Sequence, residues 1–202
     1  MDQAFDGRRI AITIGLIHMQ VTTGKAKGRT LYSVPSDNTR PITDRVKQAL
    51  FNIIGDDVRN STWLDLFAGT GAVGIEALSR GAKSVIFNDK ESIAVKTIQA
   101  NLSMLQLEAN ARVLRLDAFA LLAGRPSTRY DFIYIAPPQN KGLWSRALMT
   151  LDQNIGWLSD IGCAVVQIDP RESTTLALTN LELSDERRYG KTLLCFYDQI
   201  KK

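Results

Sequence analysis

Three carboxylates stand at comparable intervals along the middle of the chain: Asp65 in TWLDLF, Asp89 in SVIFND, and Asp117 directly after ARVLRL. Each closes an apolar run that reads as a strand. Asp65 leads into DLFAGTGAVG, where Gly69 and Gly71 permit a tight turn and the close approach of a ligand to backbone N–H groups. A carboxylate just ahead of that loop opposes a pyrophosphate and suits a ligand with a positive end, such as the ammonium of a methionine moiety. No Gly-Lys-Ser/Thr follows, which excludes a nucleotide-hydrolysing P-loop. A carboxylate at Asp89 can accept from a ribose diol. One at Asp117 can accept from the exocyclic amine of adenine. Singly, each acid fits an exposed strand end or a helix cap. Together, on successive strand ends beside a glycine loop, they match the ammonium, ribose and adenine of S-adenosylmethionine (AdoMet).

A second stretch, FIYIAPPQN, asks for a different explanation. Phe132 to Ala136 reads as a buried strand, Pro137 and Pro138 stop it, and Gln139 follows. The tetrad Ala136-Pro137-Pro138-Gln139 carries no acid, base or nucleophile. His18 is the only histidine, which argues against a His-dependent triad or metal centre. Cys163 and Cys195 sit in the apolar runs GCAVVQI and LLCFYD and read as reduced core residues.

These groups need a frame that brings distant strand ends to one edge. Apolar residues Val46, Leu50, Ile53 and Ile54 recur at helical spacing after Thr43 and Asp44, and Gly55 can end that helix. From Ser61 onward strands at 62–67, 84–89, 111–116, 131–136 and 163–169 alternate with helices at 72–81, 93–105, 118–123 and 144–151. Such alternation predicts an α/β fold of parallel β-α-β units. The segment NLELSDERRYGKTLLCFYD predicts two further strands in an antiparallel hairpin through Tyr189-Gly190-Lys191. Open sheets of this kind bind ligands at the carboxyl ends of their strands. That rule gathers Asp65 to Gly71, Asn88 with Asp89, Asp117 and Ala136 to Gln139 on one rim.

With 202 residues, 45% apolar and 23% charged, the chain suits one compact domain with a small appendage. We expect an N-terminal extension over 1–19, a basic arm and helix over 20–60, and the main domain over 61–202. No apolar run is long enough to span a membrane, and a cytoplasmic location is the default. The net charge of +4 decides little, but six basic residues against two acids fall between Gly24 and Lys47. Lys25, Lys27, Arg29, Arg40, Arg45 and Lys47 form a local excess that attracts polyanions, unless it is only a solvated loop.

The motifs TRPITDRVKQALFNI, LDLFAGTGAVGIEALSRGA and RRYGKTLLCFY closely resemble those of the RsmD-type methyltransferases. The resemblance runs from about Gly24 to Tyr197. It implies a Rossmann-like class I methyltransferase sandwich: a mostly parallel seven-stranded sheet with an antiparallel C-terminal hairpin. It implies AdoMet as cofactor and methyl transfer to the exocyclic N2 of a guanine in small-subunit rRNA, free or in an assembling subunit. Asp65, Ala68, Gly69 and Gly71 would hold the methionine end, Asp89 the ribose, and Asp117 with Ala118 the adenine. Lys25, Lys27, Arg29 and Arg40 would grip RNA phosphates. No metal is implied, and a monomer is expected.

The family's fourth strand ends in Asp or Asn, Pro, Pro, and Tyr or Phe, a tetrad that holds the amine hydrogens and stacks on a flipped base. Here Ala136 replaces the acceptor and Gln139 the aromatic ring. The carbonyls of Ala136 and Pro137 remain, Gln139 Oε1 could substitute as acceptor, and Trp144 could stack if its helix folds back. One missing acceptor costs about 2–4 kcal/mol at a transferring centre, roughly 10²- to 10³-fold in rate. Two other readings remain open: an RNA-binding protein that keeps AdoMet without turnover, and an amino-methyltransferase for another nucleic acid.

Overall fold

The computed structural model describes residues 19–34, 42–139 and 141–201. Residues 1–18 of the expected extension over 1–19, and the substrate residue Arg40, lie outside the described residues. Helix α1 (Asp44–Ile54) begins where Thr43 Oγ1 accepts from Val46 N–H, and it ends at Gly55, whose φ is +62°. Then follow β1 (Thr62–Asp65), α2 (Ala72–Ser79), β2 (Ser84–Asn88), α3 (Ser92–Leu105), β3 (Ala111–Leu114) and α4 (Ala118–Ala123). The chain continues with β4 (Tyr130–Ile135), α5 (Leu143–Gln153), β5 (Leu158–Ile168), β6 (Leu181–Tyr189) and β7 (Thr192–Gln199).

Among the described residues the strands form one sheet in the order β3-β2-β1-β4-β5-β7-β6. The first five are parallel, and β7 runs antiparallel to both β5 and β6. The order reverses at β1–β4, so the connections leave β1 in one direction along the sheet and β4 in the other. This is the switch point where open α/β sheets hold ligands.

Alternation along the strands divides the core into two layers. Trp63, Phe87, Tyr134 and Val165 face the cluster that also holds the buried residues of α1, α2 and α3. Leu64, Ile133, Ile135 and Ala164 face the opposite cluster, with α4 and α5. The first layer is aromatic at its centre: Trp63 stacks between Phe51 and Phe132, at centroid distances of 5.5 and 4.6 Å. In the second, Trp144, Ala147, Leu148 and Leu151 form one helical stripe of α5, each at most 3% exposed.

The basic arm belongs to the same core and does not stand apart from it. Met19, Val21, Ala26 and Leu31 are buried against α1 and α2. Gln20 and Thr30 form an antiparallel bridge. The arm is stitched to α2 by Glu76, which accepts from Thr22 N–H (2.8 Å), Thr22 Oγ1 (2.7 Å) and Thr23 N–H (2.9 Å). Lys47, expected among the RNA-attracting charges, is fully buried and pairs with Glu76 at 3.4 Å. Its position in α1, with Leu50, Phe51 and Ile54 at the next helical spacings, puts it on the core face, so it adds nothing to the basic surface.

Strand β5 begins at Leu158, five residues before the expected Cys163. The extra turn of strand pairs Leu158 with Tyr130 across an irregularity in the register. Cys163 and Cys195 are free thiols. Burial pushes Cys195 up to about 12 and raises Cys163 further still, so neither is a nucleophile. No helix among the described residues is long and apolar enough to cross a membrane.

Candidate active site

A cleft of about 610 Å³ opens at the carboxyl ends of β1, β2, β3 and β4. Its volume suits a ligand of nucleoside size. Of the expected site residues, Asp65, Ala68, Gly69, Asp89, Asp117, Ala118 and all of Ala136 to Gln139 line it. Strand ends separated by up to about seventy residues of sequence thus reach one wall-to-wall space, as the alternation of elements requires.

Asp65 is the electrostatic centre. It ends β1, is 1% exposed, and accepts from Gly74 N–H of α2 at 3.2 Å through Oδ2. Its other oxygen, Oδ1, is buried with no hydrogen-bond partner among the described residues. Burial pushes its carboxyl up to about 7; the Gly74 N–H works against that rise, and the nearby Asp89 charge adds to it. An unpartnered buried carboxylate is expensive unless a cation or donor completes it. Asp65 therefore favours a positively charged group in the cleft.

Asp89 follows β2 and ties two loops together. Its Oδ2 accepts from Gly69 N–H at 2.9 Å, and its Oδ1 from Glu91 N–H at 2.9 Å. The glycine turn is thereby held above the second strand. Gly69 has φ +54°, and a Cβ there would meet nothing within 4 Å, so the backbone faces open cleft. Gly71 serves differently. It has φ +79° at the start of α2, and a Cβ would press on Ile75, Ile98 and Phe87 at 3.3 Å. Gly71 does not line the cleft; it lets α2 pack closely on β2 and α3.

Asp117 caps α4, its Oδ1 accepting from Phe119 and Ala120 N–H at 3.0 Å each. It is exposed, and it lines the cleft beside buried Ala118. The helix-cap reading and the ligand-facing reading of this residue are thus compatible. Phe67 and Phe119 meet edge to face at 6.2 Å and frame the same end with apolar surface.

Four expected substrate contacts do not line the cleft. Trp144 is 3% exposed within the core behind α5 and does not line the cleft, so stacking on a base there is corrected to a packing role. Lys25 and Arg29 are anchored far from the rim: Lys25 N–H donates to Ser79 O (2.9 Å), and Arg29 Nη2 to Met104 O (3.2 Å). Ser79 ends α2, while the cleft is lined by Thr70, Ala72 and Val73 at its start. Eight helical residues separate these ends by about 12 Å. Lys25, Lys27 and Arg29 are exposed and do not line the cleft.

Two buried polar residues of the cleft, Tyr134 and Gln167, were missed by sequence reading; Asn88, expected on the rim, lines it as well and is buried. Asn88 donates to Leu66 O (3.1 Å) and Leu116 O (3.2 Å), bracing β1 against the loop after β3, and its Oδ1 is buried with no hydrogen-bond partner among the described residues. Tyr134 stands two residues before Ala136, hence on the same face of β4, which is the signal that could have found it.

A sheet of this order, with acids at its strand ends and a glycine turn over the cleft, is the architecture of the Rossmann-like methyltransferases. The family model described as Conserved hypothetical protein 95 matches residues 19–198. YlbH of Bacillus subtilis (strain 168) is 38% identical over 181 residues, covering 89% of this chain and 98% of YlbH. Ribosomal RNA small subunit methyltransferase D of Escherichia coli (strain K12) is 30% identical over 181 residues, covering 90% of each chain. Among solved structures, yhhF from Escherichia coli superposes with a TM-score of 0.80 at 30% identity, covering 90% of this chain and 98% of that one. The chain belongs to the RsmD-type methyltransferase family.

Proposed function

We propose that this protein is an AdoMet-dependent methyltransferase acting on the exocyclic N2 of a guanine in small-subunit ribosomal RNA. The observation that carries the reading is the buried, unpartnered Oδ1 of Asp65 in a nucleoside-sized cleft. It calls for a cationic ligand, and it fits the ammonium end of AdoMet. The open backbone at Gly69, the carboxylate of Asp89, and Asp117 with Ala118 fit the rest of that ligand. The rRNA substrate is supported by the name of the Escherichia coli relative.

AdoMet supplies an electrophilic methyl on a sulfonium. The work left to the protein is to position and to exclude water. Asp65 fixes one end of the donor by charge. Pro137 and Pro138 fix the direction of the Ala136 and Pro137 carbonyls, which accept hydrogen bonds from the attacking amine. With AdoMet bound, the amine lone pair would form the new N–C bond as the S–C pair stays on sulfur, and the surplus N–H proton would leave to water. No general base is needed, which accords with a tetrad that has none.

The test is transfer of labelled methyl from AdoMet to small-subunit RNA and to assembling subunits, with the product nucleoside identified. The expected product is N2-methylguanosine, lost in Asp65→Ala. No incorporation into either substrate would overturn the reading. Ala136 favours one competing account, an AdoMet-binding RNA protein without turnover. That account requires a silent wild type and an active Ala136→Asp, Gln139→Tyr double variant.

A further inference from the structure

We infer that Gln167, held by Tyr134, is the side-chain acceptor for the amine under attack, a role the strand end itself cannot fill at position 136. The inference rests on the methyl-transfer reading above. An exocyclic amine carries two hydrogens and a lone pair delocalised into its ring. Acceptors that hold the hydrogens free the lone pair for attack. Backbone carbonyls supply part of that need, but the side chain at Ala136 is a methyl group.

The neighbouring strand provides the missing group. Ile135 pairs with Val166 in the parallel register of β4 and β5, so the next step sets Ala136 beside Gln167. Paired residues of adjacent strands point to the same face, about 4.8 Å apart. Ala136 and Gln167 both line the cleft. Gln167 is 7% exposed, and among the described residues its amide is anchored at one end: Tyr134 Oη donates to Oε1 at 2.6 Å. Tyr134 also lines the cleft, on the same face as Ala136 and paired in register with Asp65.

A carboxamide has two acceptor lone pairs on oxygen and two donors on nitrogen. With one lone pair taken by the tyrosine, Oε1 keeps a second. A turn of the amide gives Nε2 to the tyrosine oxygen and frees Oε1 entirely, because a phenol both donates and accepts. In either arrangement Tyr134 fixes the plane of the amide, and at least one acceptor site is left for the amine. Gln167 takes no proton in this role. Asn88, the other buried amide of the cleft, is committed to the β1–β2–β3 side through Leu66 and Leu116. Gln167 stands on the Pro137 side.

The experiment is single-turnover methyl transfer to small-subunit RNA by wild type, Gln167→Leu, Gln167→Glu, Tyr134→Phe and the double variant Gln167→Leu, Ala136→Asp. S-adenosylhomocysteine binding and thermal unfolding are measured on each. Gln167→Leu is expected to lower the transfer rate roughly 10²-fold, by comparison with loss of a single transition-state hydrogen bond, with RNA KM and S-adenosylhomocysteine affinity within a factor of three. Gln167→Glu, which keeps an acceptor, retains activity within tenfold. Tyr134→Phe falls between them as the loss of a positioning residue. The double variant recovers at least tenfold over Gln167→Leu. An active wild type with an unimpaired Gln167→Leu overturns this inference alone. So does a Gln167→Leu whose only defect is weaker S-adenosylhomocysteine binding, which would make it a cofactor contact. If Gln167→Leu does not fold, Gln167→Met takes its place under the same criteria. A wild type silent on every RNA substrate removes the methyl-transfer reading and this inference with it.

Discussion

Two carboxylates lie buried around the same helix, and the fold treats them in opposite ways. Glu76 sits inside α2 at 0% exposure and is saturated: it accepts from Thr22, Thr23 and Arg80 Nε (2.9 Å), and pairs with Lys47. Asp65 faces the start of the same helix at 1% exposure with a single 3.2 Å bond, one oxygen bare, and a carboxyl pushed up to about 7. Burial is equal, and satisfaction is not. A buried charge whose partners all come from the chain is structural. One left incomplete in a cleft is kept for a ligand.

The contrast is sharpest in stability measurements. Glu76→Ala takes from buried Lys47 its one fully buried partner, leaving it the part-exposed Asp44 carboxylate and Gln20 O, and is expected to cost up to about 3–5 kcal/mol in urea unfolding. A loss under about 1 kcal/mol would mean that the arm does not depend on this knot.

Asp65→Asn should act with the opposite sign. Burial lifts the folded carboxyl from its ordinary 3.8 to about 7, so the folded state holds the extra proton between those values. Stability that is intact below pH 4 is therefore lost as pH rises through about 7. The asparagine variant of the ligand-free protein should gain up to about 4 kcal/mol at pH 8 and nothing near pH 4. A destabilised variant at pH 8 would put Asp65 in the same class as Glu76.

Asp117→Ala removes a helix cap at the rim and should cost about 1 kcal/mol, read from the unfolding midpoint. Smallest is the arm. Lys25→Ala with Lys27→Ala should weaken RNA binding by a factor of a few and flatten its dependence on salt. Each lost phosphate contact would lower the slope of log K against log salt by about 0.7–0.9. An unchanged slope would remove the arm from the RNA interface.

The rim was legible in the sequence because it follows from topology. Alternating strands and helices force Asp65, Asp89 and Asp117 to successive strand ends, and the structure lines one cleft with all three. Turn and cap chemistry gave α1 its limits at Thr43 and Gly55. What could not be read were pairings across the sheet and across layers. Lys47 belongs by sequence to a basic run, and only its partner on α2 reveals it as core. Gln167 reads as one polar residue in an apolar strand until the register puts it beside Ala136. Trp144 was recoverable: Trp144, Ala147, Leu148 and Leu151 fall on one helical face, which predicts burial. The early start of β5 was hidden by Asp160 and Gly162, which break the apolar pattern.

The central claim is that Asp65 holds a cation in this cleft. Titration calorimetry of S-adenosylhomocysteine, which keeps the ammonium, tests it directly when run from pH 6 to 8 in buffers of different ionisation enthalpy. The account predicts binding that tightens as pH rises through about 7, proton release below that pH, and loss of both signatures in Asp65→Asn. Tight uptake of NAD or ATP, with indifference to S-adenosylhomocysteine at every pH, would contradict it.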